Sequence, residues 1–555
     1  MSFEEIRDRF LRAHLSYWPS EASTLGLHEH DALLADRSDE AIAAELDLHT
    51  RTLRELSGLS PSTLDAEERL DSLMMTAFSR FQVHTLGETQ AHLSNLEMSL
   101  HPYLMLQLQQ RLSHEPKHWL DLSERVRQIP RFLEQQRALL ERGVGAGLTP
   151  DLEATVFVAE QQIPHIVTFF AGFTEHAQRA GARLDGRASS GFEERCRAAA
   201  QAYTEHANFL SEEVRPASET RILGEAEYAW RLEVTLGVDA SPSALIELGE
   251  STLESLGEEL RATAARVHGS RSMSTEQALA LVMEQKETRL AERDRDVIPA
   301  YRSLLERAER SMRDANLFHM RDELASLGLV PPPAAFTEIG AVTNVAAPLL
   351  DERGSAYFLI QERAEAHPQV QAALLAVHEG IPGHSLQSIW WQMNRGRRAH
   401  PVRFLAVPDD VAMGRQYFGA MMNIEGWATY AEALMREHGF FTPSEALWAI
   451  WAQMVHAARV VVDAGIHTGR MSLEEGEAYL EKQLGLPRSW AQGEVLRYRR
   501  IPLQALCYML GRLEIMELRQ ACRAEEGDAF SLPDFHERLF AAGPVPAGHL
   551  KRAWL

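Results

Sequence analysis

The sequence predicts a large, mostly α-helical protein with one small antiparallel sheet. Three observations carry this. The chain has 555 residues, well beyond one ordinary domain, so a large core or two lobes are expected. Segments 41–57, 64–85, 119–143, 190–214, 243–268 and 297–325 are rich in Ala, Leu, Glu and Arg, with apolar residues three and four apart. That texture breaks near residue 328, where Gly328-Leu329-Val330-Pro331-Pro332-Pro333 cannot be helix interior.

Each element has a local reason. Ser241-Pro242-Ser243 and Thr442-Pro443-Ser444-Glu445 read as helix starts, a capping side chain ahead of a periodic run. After the break, 341–350 and 355–361 are the clearest strand material, with a turn signal at 351–354, so they are read as a small antiparallel hairpin set against helices. Helical texture returns from 368 and carries nearly all the unusual polar residues. The expected organisation is a mainly helical region over 1–330 and a second region over 331–555 holding the sheet, or both as one continuous unit. No fixed-period repeat favours a solenoid, and the charge-rich stretch 284–296 reads as a solvated helix face.

Composition narrows the function classes. Hydrophobic residues make up 45% and charged residues 24% of the chain, as in ordinary soluble domains. The net charge of −23 repels phosphate backbones, so nucleic acid is not an expected partner. No apolar run approaches the ~18 residues of a membrane span. The opening MSFEEIRDRF lacks the basic-then-apolar pattern of a leader. Cys196, Cys507 and Cys522 are isolated and form no CxxC pair. The expected location is the cytoplasm.

The chemistry concentrates in His378-Glu379-Gly380-Ile381-Pro382-Gly383-His384. It begins like H-E-x-x-H, in which two histidines one helical turn apart bind zinc and the Glu acts as base. Pro382 stands where the second His belongs. Residues six apart are separated by about 120° around an unbroken helix, too far to share one ion. His378 and His384 therefore converge only if the helix ends or bulges between them, which Pro382 and Gly383 would allow. The plainer alternative is a helix end with two incidental histidines.

A zinc site of this kind needs a third protein ligand. The best candidate is Glu425, in the otherwise apolar helical segment Asn423-Ile424-Glu425-Gly426-Trp427-Ala428-Thr429-Tyr430-Ala431-Glu432, on one face with Thr429 and Glu432. The bland reading places it in solvent near a helix start. Further on, His456, Arg459, Asp463 and His467 form one polar stripe on an apolar helix, either a structural network or a source of an oxyanion donor. Arg497-Tyr498-Arg499-Arg500 adds a hydroxyl and three cations. These arginines could hold a substrate carboxylate or be ion-paired.

HEGIPGHSLQ, EGWATYAE, DAGIHTG and RYRRIPLQALCYMLG, in that order, resemble the signatures of the bacterial family known as domain of unknown function 885, and WPSEASTLGLHEHDALLADRS is similar to its opening. The resemblance spans essentially the whole chain. It implies a gluzincin-type zinc metallopeptidase with a large, two-lobed helical fold similar to the neurolysin and carboxypeptidase Taq group. On it, one Zn2+ is held by His378, His384 and Glu425, Glu379 is the general base, and His467 and Tyr498 are transition-state donors. Two positions depart from the family pattern: Ser385 follows the ligand where relatives often have His, and Leu503 stands where many have Gly.

The resulting expectation is hydrolysis of peptide bonds, on short peptides, by a metal-activated water. Tyr357, Arg497 and Gln504 are the expected substrate-binding residues, with the 357–359 strand pairing with substrate at a sheet edge. Two other readings fit the same residues: a zinc hydrolase of a small amide or peptide-like natural product, and a helical binding protein with a degenerate site.

Overall fold

Helix starts sit where the capping residues place them. The Ser241 hydroxyl accepts from Ala244 N–H at the start of Pro242–His268. Thr442 and Glu445 cap each other reciprocally at the start of Pro443–His467. These two long helices lie side by side. Gly249 permits the contact, because a Cβ there would fall 2.6 Å from Val461. The computed structural model describes residues 2–112, 116–179, 186–319, 326–332, 341–351, 354–407 and 409–555.

The architecture is mostly helical, as expected. Two expected helices differ in extent. Segment 119–143 is two helices, Pro116–Arg127 and Ile129–Gly145, the second restarting with a proline in its first turn. The helix from Val297 ends at Asp314, and residues 320–325 of the expected segment lie outside the described residues.

The sheet has strands β1 (Leu327–Val330), β2 (Val342–Val345) and β3 (Ala356–Ile360), in the order β1-β3-β2. The expected antiparallel pair is present as β2 and β3. The expected turn between them falls partly outside the described residues. The sheet is mixed rather than antiparallel, because β1 pairs parallel with β3. β1 is the stretch just before the three prolines, which stop a helix but tolerate a short strand. It lies before residue 331 and pairs with a strand after it, so the sheet straddles that expected boundary.

One buried apolar cluster runs from Phe3 to Leu550. A second, built from Trp18 to Val214, forms the core of the helices there. All three cysteines are buried and free. Among the described residues no helix is long and apolar enough to cross a membrane.

Candidate metal centre

The helix that delivers His378 does not simply stop. It runs as Gln369–Leu375 and widens into a π-helical turn over Ala376–Gly380. The Ile381 N–H reaches back to the Ala376 carbonyl at 3.1 Å and the Gly383 N–H to that of Val377 at 2.9 Å. The Ile381–Pro382 peptide is cis. His384 then opens a new helix, His384–Met393. The two histidines thus lie on different helices, which removes the angular conflict of an unbroken one. Gly383 is required by contact: a Cβ there would sit 1.8 Å from the His378 carbonyl oxygen.

Glu425 projects from the helix Gly419–Glu437 and is buried, not in solvent. Its two neighbours explain its placement. A Cβ on Gly426 would lie 2.6 Å from the Gly511 backbone, so this glycine lets the helix cross Cys507–Glu526 at backbone contact. Trp427 donates its indole N–H to the Pro382 carbonyl at 2.8 Å, tying the Glu425 helix to the turn between the histidines. Thr429 adds a bond to the Tyr508 carbonyl at 2.9 Å. Glu432 accepts from His378 Nδ1 at 2.7 Å, which directs Nε2 inward.

Together these place three ligand atoms around one point. Glu425 Oε2 lies 3.5 Å from His378 Nε2 and 3.6 Å from His384 Nε2, and all three atoms are within 4.8 Å of one another. Ligands held at about 2.0–2.2 Å in tetrahedral geometry are themselves about 3.3–3.6 Å apart. Glu425 Oε2 is buried without an aligned hydrogen bond, although such atoms are normally paired. Two imidazoles and one carboxylate, with a lone pair left over at their common focus, fit a zinc ion.

The electrostatics agree. Burial opposes ionisation of Glu425, but the two histidines hold its carboxyl well below the usual range. Burial disfavours a charged His378, yet Glu425 and Glu432 raise it. Burial pushes Glu379 up, against the pull of both histidines. The Glu379 carbonyl is fixed by Ser385 Oγ at 2.6 Å and Asn344 Nδ2 at 3.2 Å. Ser385 therefore holds the π turn.

The polar stripe of Pro443–His467 divides in two. The His456 ring stacks on Tyr508, centroids 4.8 Å apart and planes at 4°. The Arg459 guanidinium lies 5.1 Å from the same ring. Tyr508 in turn lies nearly parallel to the His378 ring at 6.5 Å. Asp463 and His467 are engaged elsewhere. Asp463 accepts from Tyr228 Oη at 2.6 Å and from the Leu503 N–H. That bond holds Leu503 at φ 70°, a left-handed conformation that favours glycine.

Several expected roles are corrected. His467 Nε2 bonds the Tyr498 carbonyl at 2.9 Å and Nδ1 accepts from the Leu223 N–H at 3.4 Å, so its ring has no proton to offer an oxyanion. The Tyr498 hydroxyl donates to Glu494 at 2.8 Å. Arg499 pairs with Asp151 and Glu153, and Arg500 chelates Glu97 at 2.8 and 2.9 Å; both tie parts of the fold together. Gln504 is buried and donates to Tyr508 Oη at 3.4 Å. Arg497 donates to the same oxygen at 3.2 Å and to the Gln504 carbonyl oxygen, and it keeps 29% side-chain exposure. Tyr357 lies on β3, the middle strand, which has partners on both sides and cannot pair with substrate. Its neighbour Phe358 faces Gly380, so Tyr357 points to the other face of the sheet.

Tyr508 is the hydroxyl beside the centre that the motifs did not single out. Two N–H groups donate to its oxygen, and no described side chain accepts its own proton. A signal was available: Gln504, Tyr508 and Arg512 recur every four residues through the apolar stretch 503–513.

The comparisons with known proteins agree with the fold and are silent on the chemistry. The family model described as bacterial protein of unknown function (DUF885) matches residues 19–553, and the chain belongs to that family. No curated protein matches it. Two solved structures share the fold at 18% identity each. A candidate lipoprotein of unknown function from Shewanella oneidensis has a TM-score of 0.74 and covers 100% of both chains. A candidate lipoprotein from Colwellia psychrerythraea has a TM-score of 0.78, covering 99% of this chain and 98% of that one.

Proposed function

We propose that this member of the DUF885 family is a zinc-dependent peptidase of the gluzincin type, acting on short peptides. The observation that supports it is the convergence of His378, His384 and Glu425, with Glu379 next to the first of them and the Tyr508 ring stacked beside His378. Zinc at this site would lower the pKa of a bound water and polarise the scissile carbonyl.

Glu379 would take the water's proton as oxygen attacks the carbonyl carbon, and return it to the amine nitrogen as the C–N bond breaks. Tyr508 directs its free O–H to the developing oxyanion, held by the donors Arg497 and Gln504. Its stacking partner His456 stays neutral, because burial and Arg459 push its pKa well below the usual value. Glu432 keeps His378 in the tautomer that offers Nε2. The cytoplasm remains the proposed location; the description of the two neighbours raises the cell envelope as the alternative, which cell fractionation decides.

The test joins metal and activity. Purified protein should carry close to one zinc per chain by elemental mass spectrometry. Glu379→Gln should keep the metal and lose about 10²–10⁴-fold in peptide hydrolysis. Hydrolysis at the wild-type rate by that variant removes Glu379 as base, and full metal retention by His384→Ala removes the ligand set.

A further inference from the structure

Arg512, like Arg37, is a buried arginine with no carboxylate bonded to it among the described residues, and it is the one beside the metal centre. It is 8% exposed, and its only hydrogen-bond partner among the described residues is the Met516 thioether at 3.8 Å. Buried guanidinium groups are normally paired with carboxylates, because five donors without acceptors are costly. Arg403, Arg415 and Arg499 have the carboxylates Asp71, Glu21 and Asp151, whereas Arg125 is held by backbone carbonyls and Ser23 and Arg37 lies over the Trp18 ring.

Its position links it to the metal centre. Arg512 is one helical turn from Tyr508, on the same face of Cys507–Glu526. The backbone contact of Gly511 with the Glu425 helix fixes that face. The charge of Arg512 is felt by His456, which stacks on Tyr508. It also feels Glu432, the carboxylate bonded to His378. Glu432 forms no ion pair with Arg512; its one bonded oxygen goes to His378. Burial lowers the guanidinium's pKa to about 10, with Glu432 opposing, so it is charged at neutral pH.

We propose that Arg512 reads a carboxylate on the substrate, making this a peptidase selective for peptides with a free C-terminus or an acidic side chain near the cleaved bond. This rests on the peptidase reading. It assigns the anion that Arg512 lacks to the molecule bound at the metal centre. A fixed charge-assisted pair distinguishes an acid from its neutral isostere by about ten- to a hundredfold.

The test uses Glu379→Gln protein with zinc in excess, titrated calorimetrically with one short peptide as its free acid and as its amide. A second pair, amidated and differing only as Glu or Gln, separates the side chain from the terminus. We expect one acid to bind about ten- to a hundredfold more tightly than its neutral partner. Arg512→Met should bring that ratio to about one, and Arg512→Lys should restore part of it. Equal binding of acids and neutral partners overturns the proposal, and so does a preference that survives Arg512→Met. If Arg512 only balances Glu432, its loss weakens zinc binding and leaves the ratio unchanged, which also overturns it. Kinetics on the native chain separate the two readings. Equal kcat/KM on acid and amide leaves the peptidase standing without this carboxylate site. Absent hydrolysis with an Arg512-dependent binding preference leaves the carboxylate site without the peptidase.

Discussion

Near the N-terminus, His14, Glu21, Glu45 and His49 use the same two side-chain types as His378, His384, Glu425 and Glu432. Both groups are buried, yet they are built for different ends. In the first, Glu21 spends both oxygens: one on the Ala406 N–H, the other on His14 Nε2 at 3.0 Å and Arg415 at 3.1 Å. Burial disfavours that carboxylate, but Arg415 and His14 hold it at about 2. Glu45 is taken by Trp18 at 2.6 Å, and the cavity alongside is only about 30 Å³. In the second group the chain supplies no ion-paired arginine. Glu425 Oε2 and Glu432 Oε2 have no aligned partner, and both ligand histidines keep 11–13% side-chain exposure. Histidine and glutamate in proximity do not make a metal site. What sets the second group apart is that its lone pairs converge on a reachable point with no arginine paired to them.

The largest test of this contrast is Arg415→Met. It strands a buried carboxylate and should cost about 3–5 kcal/mol in urea unfolding, while zinc content is unchanged. A loss below about 1 kcal/mol, or a loss of metal, breaks the distinction between the clusters. Next in size is Glu432→Gln. Removing the charge behind His378 should weaken zinc binding about 10–100-fold in a chelator competition, with the metal-free stability nearly unchanged. Unaltered affinity would show that Glu432 is only structural.

The smallest effect tests the half of the polar stripe that faces away from the centre. Burial raises Asp463 to about 7, against the bond from Tyr228. The native state then holds a proton that the unfolded chain releases above the usual carboxylate value. This stability is present below that value and is lost as pH rises towards 7, by roughly 1 kcal/mol per unit. Asp463→Asn should flatten the decline. Glu514, also raised to about 7 by burial, should leave a residual slope. An unchanged profile means Asp463 is ionised in the fold.

Much of the fold was legible because helix signals are local. Ser241 and Thr442 cap the helices they announce, and β2 and β3 pair as their residues suggest. β1 was hidden because four residues before a proline run carry no periodicity. At the site, the convergence of His378, His384 and Glu425 could be read from the sequence, since metal ligation demands few residue types and tolerates few spacings. The donors could not. Tyr498 and Tyr508 lie in one motif, ten residues apart, and both look suitable. Only the crossing at Gly426 and Gly511 turns Tyr508 towards the centre, while Glu494 occupies Tyr498. The same holds for the arginines: Arg497, Arg499 and Arg500 are neighbours in the chain, and two of them find carboxylates contributed by remote segments.

The sequence by itself determined the helical class, the break at the prolines and the interrupted histidine motif, because capping, proline geometry and ligand chemistry act within a few residues. Tertiary structure alone decided which polar groups remain unpaired. Whether a buried histidine, tyrosine or arginine is spent or available depends on what packs against it from hundreds of residues away. In this chain that separates His467 from His384, Tyr498 from Tyr508 and Arg499 from Arg512.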